Sequence, residues 1–342
     1  MPPRLIFGAG GIGTTAKSFT FTWDTPEKVS DLLSVLQELN ILELDSAAAY
    51  PPGNKWNSET LLGQSKAAEK GFIVDSKVNA DRPLPHLDEE RINVSIGQTL
   101  GLLGADRVRV YYAHAPDPST PLEEQARAFD LQYKAGKFEK LGLCNYNTKD
   151  MEEFFAICDE KGYVKPSVYQ GQYNALQRHP EKNLMPLLRK HNCAFHAYSP
   201  VAGGFLTGKV TFALGDPNSK ALERTRWRGA SALPFAIDTY DDPAMHQAIW
   251  KLKEACDAVS PQILLQDAAL RWLMHHSALA EGDGIIFGAK TIDQLRANVA
   301  GARAGPLPDT VRKTVDRLWD LVREKEQVWL NMSDHQRWKS KA

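Results

Sequence analysis

The sequence predicts an α/β protein that folds as a single (β/α)8 barrel, or TIM barrel, with a long loop after strand 7 and extra C-terminal helices. Two observations predict this fold. Short apolar runs of strand length alternate with segments of helical periodicity along the whole chain. Eight repeated strand-then-helix units require parallel pairing with right-handed crossovers, and they close a barrel more readily than they extend an open sheet.

Eight candidate strands carry this prediction. They span residues 4–8, 41–45, 72–77, 107–113, 140–143, 167–172, 193–198 and 284–288. Amphipathic helices lie between them, and the first has an apolar face of Val29, Leu32, Leu33, Leu36 and Leu39. Just before that face, residues 24–27 read Asp-Thr-Pro-Glu, which offers a cap, an early proline and a first-turn carboxylate.

Three segments interrupt the rhythm of strand and helix. The connection 200–243 is too long for a plain loop between a strand and a helix, so it is predicted to be functional. An extra helix covers residues 262–275, and another helix begins near residue 308. We expect one barrel domain over residues 1–330 and a polar tail over residues 331–342.

Composition restricts the classes of function. The 342 residues carry 41 Lys plus Arg against 42 Asp plus Glu, so no overall charge favours nucleic acid or an anionic membrane as a partner. No apolar run is long enough to span a bilayer, and the N-terminus lacks a secretory pattern. Four widely spaced cysteines are typical of reduced thiols. We therefore expect a cytoplasmic protein.

Ionisable side chains stand at the carboxyl ends of three successive candidate strands. Asp45 ends the second strand, Lys77 ends the third, and His114 follows the fourth. Tyr50 lies five residues after Asp45, in the loop that leaves the strand. One polar strand end means little, because strand ends often reach solvent. Four such residues on the rim where barrel active sites lie indicate a catalytic constellation.

This set of residues suits the reduction of a carbonyl group, which needs a hydride at carbon and a proton at oxygen. A phenol with a pKa of about ten is a poor acid at neutral pH unless a close ammonium stabilises the phenolate. Lys77 can supply that ammonium and Asp45 can hold it. The imidazole of His114 can orient the substrate oxygen.

Several motifs in order along the chain resemble those of the aldo-keto reductase superfamily. They are residues 45–50 (Asp-Ser-Ala-Ala-Ala-Tyr), 57–63 (Asn-Ser-Glu-Thr-Leu-Leu-Gly), 76–77 (Ser-Lys), 114–117 (His-Ala-Pro-Asp), 142–146 (Gly-Leu-Cys-Asn-Tyr), 169–174 (Tyr-Gln-Gly-Gln-Tyr-Asn), 198–200 (Tyr-Ser-Pro) and 288–291 (Gly-Ala-Lys-Thr). The resemblance covers the chain from about residue 4 to about residue 330. The stretches at 169–174 and 202–209 are most similar to the aflatoxin-aldehyde reductase branch.

The resemblance implies an NADPH-dependent reduction of an aldehyde or ketone to the alcohol, with Asp45, Tyr50, Lys77 and His114 as the catalytic tetrad and Tyr50 as the general acid. It also implies a set of residues that bind NADPH or NADP+. These are Cys144, Asn145, Gln170, Tyr198, Ser199, Pro200, Gly203, Gly204, Leu206, Gly208, Lys209, Arg226, Gly288, Lys290, Gln294 and Asn298. Asn145 and Gln170 would bind the carboxamide, and Tyr198 would stack on the nicotinamide ring.

The substrate pocket is predicted to be built from loops. Its candidate lining residues are Phe19, Trp23, Trp56, Tyr146, Trp227 and Phe235. The connection 200–243 is predicted to be a mobile flap that orders when the cofactor binds, since it combines glycines with cationic side chains.

The sequence departs from the superfamily pattern at three places. Cys144 stands where a serine is usual beside the carboxamide, and a thiol is a weaker hydrogen-bonding group. Gly288 and Ala289 stand where some relatives carry a basic residue and a hydroxyl, which bears on the preference for NADPH. The stretch 232–235 is apolar where relatives that reduce short acidic semialdehydes place a Tyr and an Arg.

Two other motifs resemble a dinucleotide-binding turn and a metal site, but the elements around them do not fit those functions. Residues 8–13 satisfy GxGxxG, yet a dinucleotide-binding fold needs a helix directly behind the glycines, and here a polar and aromatic loop follows. His191, Cys193 and His196 resemble metal ligands in a line, but they lie where a helix ends and a buried strand begins. Packing is the favoured interpretation, and no metal site is predicted.

Two other functions stay open at this point. Some members of the superfamily resemble channel accessory subunits that bind the cofactor with little turnover, and the tetrad would be intact in such a subunit as well. An alcohol dehydrogenase that works mainly in the oxidative direction would use the same residues. The expected partner is a small-molecule carbonyl substrate, with neither nucleic acid nor membrane, and the protein is expected to be a monomer or a homodimer.

Overall fold

Eight parallel strands close into a barrel in the computed structural model, which describes residues 2–14, 22–80, 85–214, 219–222, 225, 227–228 and 234–325. The strands are β1 (Arg4–Gly8), β2 (Glu43–Asp45), β3 (Ile73–Lys77), β4 (Val108–Ala113), β5 (Phe138–Cys144), β6 (Pro166–Gln172), β7 (Ala194–Tyr198) and β8 (Gly284–Phe287). They pair in chain order, and β1 closes on β8 through pairs such as Leu5 with Ile285. The predicted (β/α)8 barrel is confirmed, with strand ends that differ by one or two residues.

Most helices surround the barrel on its outer side, and two short ones lie in the long connection after β7. They are α1 (Pro26–Glu38), α2 (Asn57–Gln64), α3 (Glu89–Leu103), α4 (Leu122–Lys134), α5 (Thr148–Lys161), α6 (Leu184–Lys190), α7 (Lys209–Phe212), α8 (Pro234–Tyr240), α9 (Pro243–Asp257), α10 (Leu265–His275), α11 (Ile292–Arg303) and α12 (Asp309–Val322). The predicted tail, residues 331–342, lies outside the described residues. None of the helices in the described ranges is long and apolar enough to cross a membrane.

Helix α1 shows why these segments fold as they do. Thr25 caps the helix by accepting a hydrogen bond from the backbone N–H of Lys28, and Pro26 opens the first turn. Four residues of the predicted apolar face (29, 32, 33 and 36) are buried against the barrel, and Leu39 is partly buried beside them. Burial of this stripe fixes the helix on the sheet.

Successive strand residues point alternately to the helices and to the barrel interior. Ser76 and Tyr111 face the helices, where their hydroxyls bond to Glu59 of α2 and Ser95 of α3. Lys77 follows Ser76 and faces the interior. There a small apolar cluster, separate from the main core, holds Val110, Tyr112, Cys144 and Val168. The interior is therefore a packed layer beneath the rim.

The long connection after β7 contains its own short helices. After a 3-10 turn at Ala202–Thr207 come α7, a second 3-10 turn at Lys220–Leu222, and α8. The buried Tyr240 at the end of α8 anchors it, because its hydroxyl accepts hydrogen bonds from Gln172 and Asn174 at 2.6 and 3.2 Å and donates one to Gln177 at 2.8 Å. The connection is thus fixed to the barrel rim at its far end.

Candidate active site

The carboxyl ends of β2, β3 and β4 bring the predicted tetrad together on one rim. Asp45 is the last residue of β2, Lys77 is the last residue of β3, and His114 directly follows β4. Tyr50 enters from the loop after β2. Its backbone carbonyl accepts a hydrogen bond from the N–H of Ser58 at 3.1 Å, which ties this loop to the start of α2.

A buried ion pair forms the centre of the site. The Lys77 ammonium donates to both carboxylate oxygens of Asp45 at 2.8 Å and to the carbonyl oxygen of Ser46 at 2.7 Å. Neither side chain has more than 3% of its surface exposed. The amide of Gln170 donates to Asp45 Oδ1 at 2.8 Å as well. These bonds hold the ammonium in one place.

The charge state of Lys77 follows from this pairing. Burial alone lowers the pKa of Lys77, because it penalises the charged form. The negative partners oppose that effect, first Asp45 and then Tyr50, and the pKa of Lys77 ends above its usual value. Lys77 is therefore a permanent ammonium across the pH range in which enzymes work.

Tyr50 lies directly beside this ammonium. The Lys77 nitrogen is 5.0 Å from the centre of the Tyr50 ring. The His114 ring meets the Tyr50 ring edge-on, with centres 5.7 Å apart and planes at 84°. On another side the backbone of Gly10 approaches the ring, because a Cβ atom built there would sit 3.5 Å from it. The turn after β1 therefore packs against the phenol.

His114 is electrically neutral in this site. Burial lowers the pKa of His114 to about 3, and the charges of Lys77 and His86 act in the same direction. A neutral imidazole keeps one N–H donor. Its Nδ1 atom is buried and has no hydrogen-bond partner among the residues that the structure describes.

The ends of β5, β6 and β7 gather three more predicted residues. Asn145 follows β5 with a left-handed backbone (φ 64°), and its backbone N–H bonds to the carbonyl of Gln170. Its side chain donates to the His114 carbonyl at 3.1 Å and accepts from the Tyr198 hydroxyl at 2.8 Å. Asn145, Gln170 and Tyr198 therefore share one hydrogen-bonded network with the tetrad.

Cys144 completes this side of the rim. The side chain at the end of β5 is buried beside Lys77 and Asp45, and burial raises the pKa of its thiol despite the nearby ammonium. The thiol is therefore protonated at neutral pH and packs as a small apolar group.

The chain after β7 forms a turn of unusual backbone geometry. Ser199, Ala202, Gly203, Gly204 and Gly208 all have positive φ angles. Pro200 and Leu206 are buried beneath the turn, and Lys209 is exposed at the first position of α7. Positive φ angles turn successive N–H groups towards a common side, an arrangement that favours anions.

The segment after β8 is closed by side chains from the first turns of α11. Gln294 accepts a hydrogen bond from the backbone N–H of Lys290 at 2.9 Å. Asn298 donates to the carbonyl of Gly288 at 3.1 Å. Thr291 caps α11. The four predicted residues (288, 290, 294 and 298) thus form one structural unit at a helix N-terminus.

Comparison with known proteins gives the family of this chain. The sequence profile of the aldo/keto reductase family matches residues 4–320. The protein belongs to the aldo/keto reductase family. It is therefore an oxidoreductase that acts on carbonyl compounds with a nicotinamide cofactor, and the predicted membership is confirmed.

Similar members of the family include aldehyde reductases. The chain is 33% identical over 338 residues to the human aflatoxin B1 aldehyde reductase member 2, covering 94% of this chain and 88% of the relative. It is 35% identical over 289 residues to the human aldo-keto reductase family 7 member A3, covering 82% of this chain and 85% of the relative. An aldo-keto reductase of Pseudocercospora fijiensis is 32% identical over 297 residues, covering 85% of this chain and 97% of the relative.

The structure gives buried or partly buried partners to three of the predicted pocket residues. Tyr146 is 2% exposed, packs on Phe154 and donates its hydroxyl to Gln125 at 2.6 Å. Trp23 is 4% exposed and donates to the carbonyl of Ala289 at 3.4 Å. Both rings are largely buried, and each polar group is satisfied by a backbone carbonyl or a buried amide.

Trp227 is the third of these residues. Its indole N–H donates to the carbonyl of Gly203 at 3.1 Å, and its ring packs on Phe205 and Tyr240. It therefore anchors the long connection to the positive-φ turn, and its place in the substrate pocket stays a prediction. Trp56 is partly exposed at the start of α2. Phe19, Arg226 and the side chain of Phe235 lie outside the described residues.

The two misleading motifs are resolved by the fold. The glycines at 8–13 form a 3-10 turn at Ala9–Gly11, and α1 starts only at Pro26, so no helix follows them directly. His191 ends α6 and stacks on Phe155 with ring centres 4.0 Å apart, whereas His196 lies in the barrel interior and bonds to Tyr112 at 2.9 Å. Within the described ranges no cluster of three His, Cys, Asp or Glu side chains could hold a metal ion.

Sequence reasoning missed Glu59, a fully buried carboxyl next to the tetrad. It accepts a hydrogen bond from the Ser76 hydroxyl, one residue before Lys77, at 2.5 Å. The motif at 57–63 contained this residue but gave it no role. The available signal was a carboxylate on the buried side of α2 among Ser58, Leu61 and Leu62.

Proposed function

We propose that the protein reduces an aldehyde or ketone to the alcohol with NADPH, and that Tyr50 is the general acid. One observation carries the proposal: the Lys77 ammonium is held between the Asp45 carboxylate, at 2.8 Å, and the Tyr50 ring, 5.0 Å from its centre. The two similar human relatives, one of them named as an aldehyde reductase, support a carbonyl substrate.

The ion pair prepares Tyr50 to release a proton. An ammonium beside a phenol stabilises the phenolate, so the proton passes more easily to a developing alkoxide. Asp45 keeps the ammonium in position and balances its charge inside the barrel. Lys77 therefore acts through Tyr50.

His114 is proposed to bind the substrate oxygen. Because burial lowers the pKa of His114 to about 3, the ring is a neutral hydrogen-bond donor near neutral pH and adds no charge of its own. The edge-on contact between the His114 and Tyr50 rings allows both to reach one oxygen atom at the rim. Two donors on a carbonyl oxygen polarise it and stabilise the alkoxide that forms.

The residues present fit a nicotinamide dinucleotide. NADPH, when bound, supplies the hydride for the carbonyl carbon. Asn145 and Gln170 offer amide groups at the rim for the carboxamide, with Cys144 beside them, and Tyr198 offers a ring for stacking. The positive-φ turn at 202–204, followed by Lys209, suits a pyrophosphate. Lys290 with the first turn of α11 suits a phosphate on the adenosine half.

The proposal is tested by NADPH oxidation with aromatic, aliphatic and α-dicarbonyl aldehydes. We expect absorbance at 340 nm to fall with at least one aldehyde class, and the corresponding alcohol to appear in equal amount. Tight NADPH binding without alcohol formation from any class would contradict the proposal and favour a regulatory subunit. The matched control is the reaction without aldehyde, which also corrects for direct oxidation of the cofactor.

A further inference from the structure

The first turn of α2 is bonded to the chain that follows β1. The Asn57 side-chain oxygen accepts hydrogen bonds from the backbone N–H of Thr14 at 2.6 Å and from its hydroxyl at 3.2 Å. The next residue, Ser58, donates to the carbonyl of Ala9 at 3.0 Å, and its hydroxyl lies 3.5 Å from that of Ser46 after β2. Two consecutive side chains thus connect α2 to the segments that surround Tyr50.

The third residue of this turn reaches the strand that carries Lys77. Glu59 accepts the 2.5 Å hydrogen bond from Ser76, and the side chain is completely buried. Its second oxygen, Oε2, has no hydrogen-bond partner within the described part of the chain. A buried carboxyl that is only partly satisfied is costly to keep, and the hydroxyl of Thr99 is close enough to lower its pKa.

The charged and titratable neighbours of Glu59 are few. Burial raises the pKa of Glu59 to about 7, while the hydroxyls of Ser76 and Thr99 and the charge of Lys77 lower it. On the β4 side the titratable group is Tyr111, and burial first of all raises the pKa of Tyr111. Helix α3 contributes hydroxyl groups, among them Thr99. Lys77 is therefore the cation that the Glu59 carboxylate meets.

We propose that Glu59 is a positioning residue for carbonyl reduction: it holds Ser76, and with it Lys77, against the helix turn that also binds the backbone of Tyr50. When Glu59 is ionised, it also adds a second negative charge near Lys77, in addition to Asp45. This inference rests on the proposed function, because it assigns Glu59 a role through Lys77 and Tyr50.

The sign of the electrostatic effect follows from charge. A carboxylate near the pair favours the Lys77 ammonium and disfavours the Tyr50 phenolate, so Tyr50 keeps its proton to higher pH. Reduction needs protonated Tyr50, and its rate falls at high pH where that proton is lost. Glu59→Gln keeps the shape and removes the charge. The alkaline limb of the reduction profile should therefore move to lower pH.

The experiment compares pH profiles of kcat for Glu59→Gln and Ser76→Ala. Glu59→Gln keeps an acceptor oxygen for Ser76 and removes the charge, so it should lower kcat by about tenfold, the equivalent of about one pKa unit, and move the alkaline limb to lower pH with the KM for NADPH unchanged. Ser76→Ala keeps the charge, so it should lower kcat with the limb in place. Glu69→Gln, a carboxylate in an exposed pair with Lys66, is the matched control and should match the wild type.

Each outcome decides a different point. A wild-type kcat and profile in Glu59→Gln would overturn the inference, and so would a lower melting temperature with unchanged kinetics, since that is a structural role alone. Tyr50→Phe is measured alongside. If that variant keeps turnover, the proposed function fails; if it is inactive while Glu59→Gln behaves as wild type, only the role of Glu59 fails.

Discussion

Lys77 and His114 can both carry a positive charge, but the site raises the pKa of Lys77 and lowers the pKa of His114. Burial lowers the pKa of each side chain. Lys77 meets the Asp45 carboxylate at 2.8 Å, which outweighs burial, whereas His114 meets further positive charge from Lys77 and His86. One residue stays charged and the other neutral because of their partners, and the proposed reaction needs both states.

The neutral state of His114 should be visible in stability towards acid. The unfolded chain takes up a proton at the ordinary histidine pKa of about 6.5, but folded His114 takes it up only near pH 3. The stability contributed by the lowered pKa is present above pH 6.5 and is lost as the pH falls towards 3. We expect the melting temperature of His114→Gln to fall less than that of the wild type between pH 7 and pH 4.

The control for this measurement is His275→Gln, which changes an exposed histidine at the end of α10. Partial burial and Arg271 lower the pKa of His275 as well, but this side chain is exposed, so the variant should depart from the wild-type dependence on pH less than His114→Gln does. An equal fall in melting temperature for the wild type and His114→Gln would show that His114 titrates normally in the folded protein.

At the scale of single elements, the sequence predicts strand ends better than the direction of aromatic side chains on loops. Asp45, Lys77 and His114 follow apolar runs, and parallel strands bring their carboxyl ends to one rim whatever the loops do. Tyr146 and Trp227 lie on irregular chain, where no periodicity says which way a side chain turns. Both found buried partners, Gln125 and the Gly203 carbonyl.

Helix α11 gives a prediction on cofactor preference. Lys290 directly precedes the cap residue Thr291, where cationic charge and helix N–H groups meet. Loss of a charge-assisted bond to the 2′-phosphate should weaken NADPH binding by about 10- to 100-fold. We therefore expect Lys290→Met to raise the Kd of NADPH by that factor, with the Kd of NADH little changed, as measured by quenching of protein fluorescence.

Arg303→Met removes a cation from the other end of the same helix and serves as the control. It should bind both cofactors as the wild type does. Equal losses for NADPH and NADH in Lys290→Met would mean that this lysine does not read the phosphate.

The long connection gives a second prediction at this scale. Trp227 bonds to Gly203 in the turn proposed to meet the pyrophosphate, so cofactor binding and the connection are physically linked. We expect trypsin to cleave after Arg224, Arg226 or Arg228 more slowly when NADPH is present. NADPH should leave unchanged the cleavage after Lys161, which lies at the end of α5. Identical rates at the arginines with and without NADPH would remove the connection from the cofactor site.

The whole molecule separates chemistry from stability along the barrel axis. The tetrad lies at the carboxyl ends of the strands. The opposite end holds an ion network in which Arg109 donates to Asp75 at 2.6 and 2.9 Å and to Glu43 at 2.5 Å. Burial raises the pKa of Asp75 to about 6, although Arg109 opposes this effect. Burying the Asp75 carboxylate therefore costs free energy, which the hydrogen bonds to Arg109 partly offset.

The same scale explains what sequence could and could not predict. Motifs from residue 45 to residue 291 converge because the barrel closes, and that closure followed from counting strand–helix units. The contact of Glu59 with Ser76 depends on how α2 rotates about its axis against β3. That rotation is set by packing of Leu61, Leu62 and their neighbours, which no local pattern specifies.

The most direct test of the proposed mechanism is a single-turnover reduction by Tyr50→Phe with NADPH already bound. Phenylalanine keeps the ring beside Lys77 and His114 and removes only the proton donor. The mechanism predicts that hydride transfer slows by about 10²- to 10⁴-fold, the usual contribution of a general acid, with the Kd of NADPH unchanged. A single-turnover rate close to that of the wild type would contradict it, because Tyr50 would then not supply the proton.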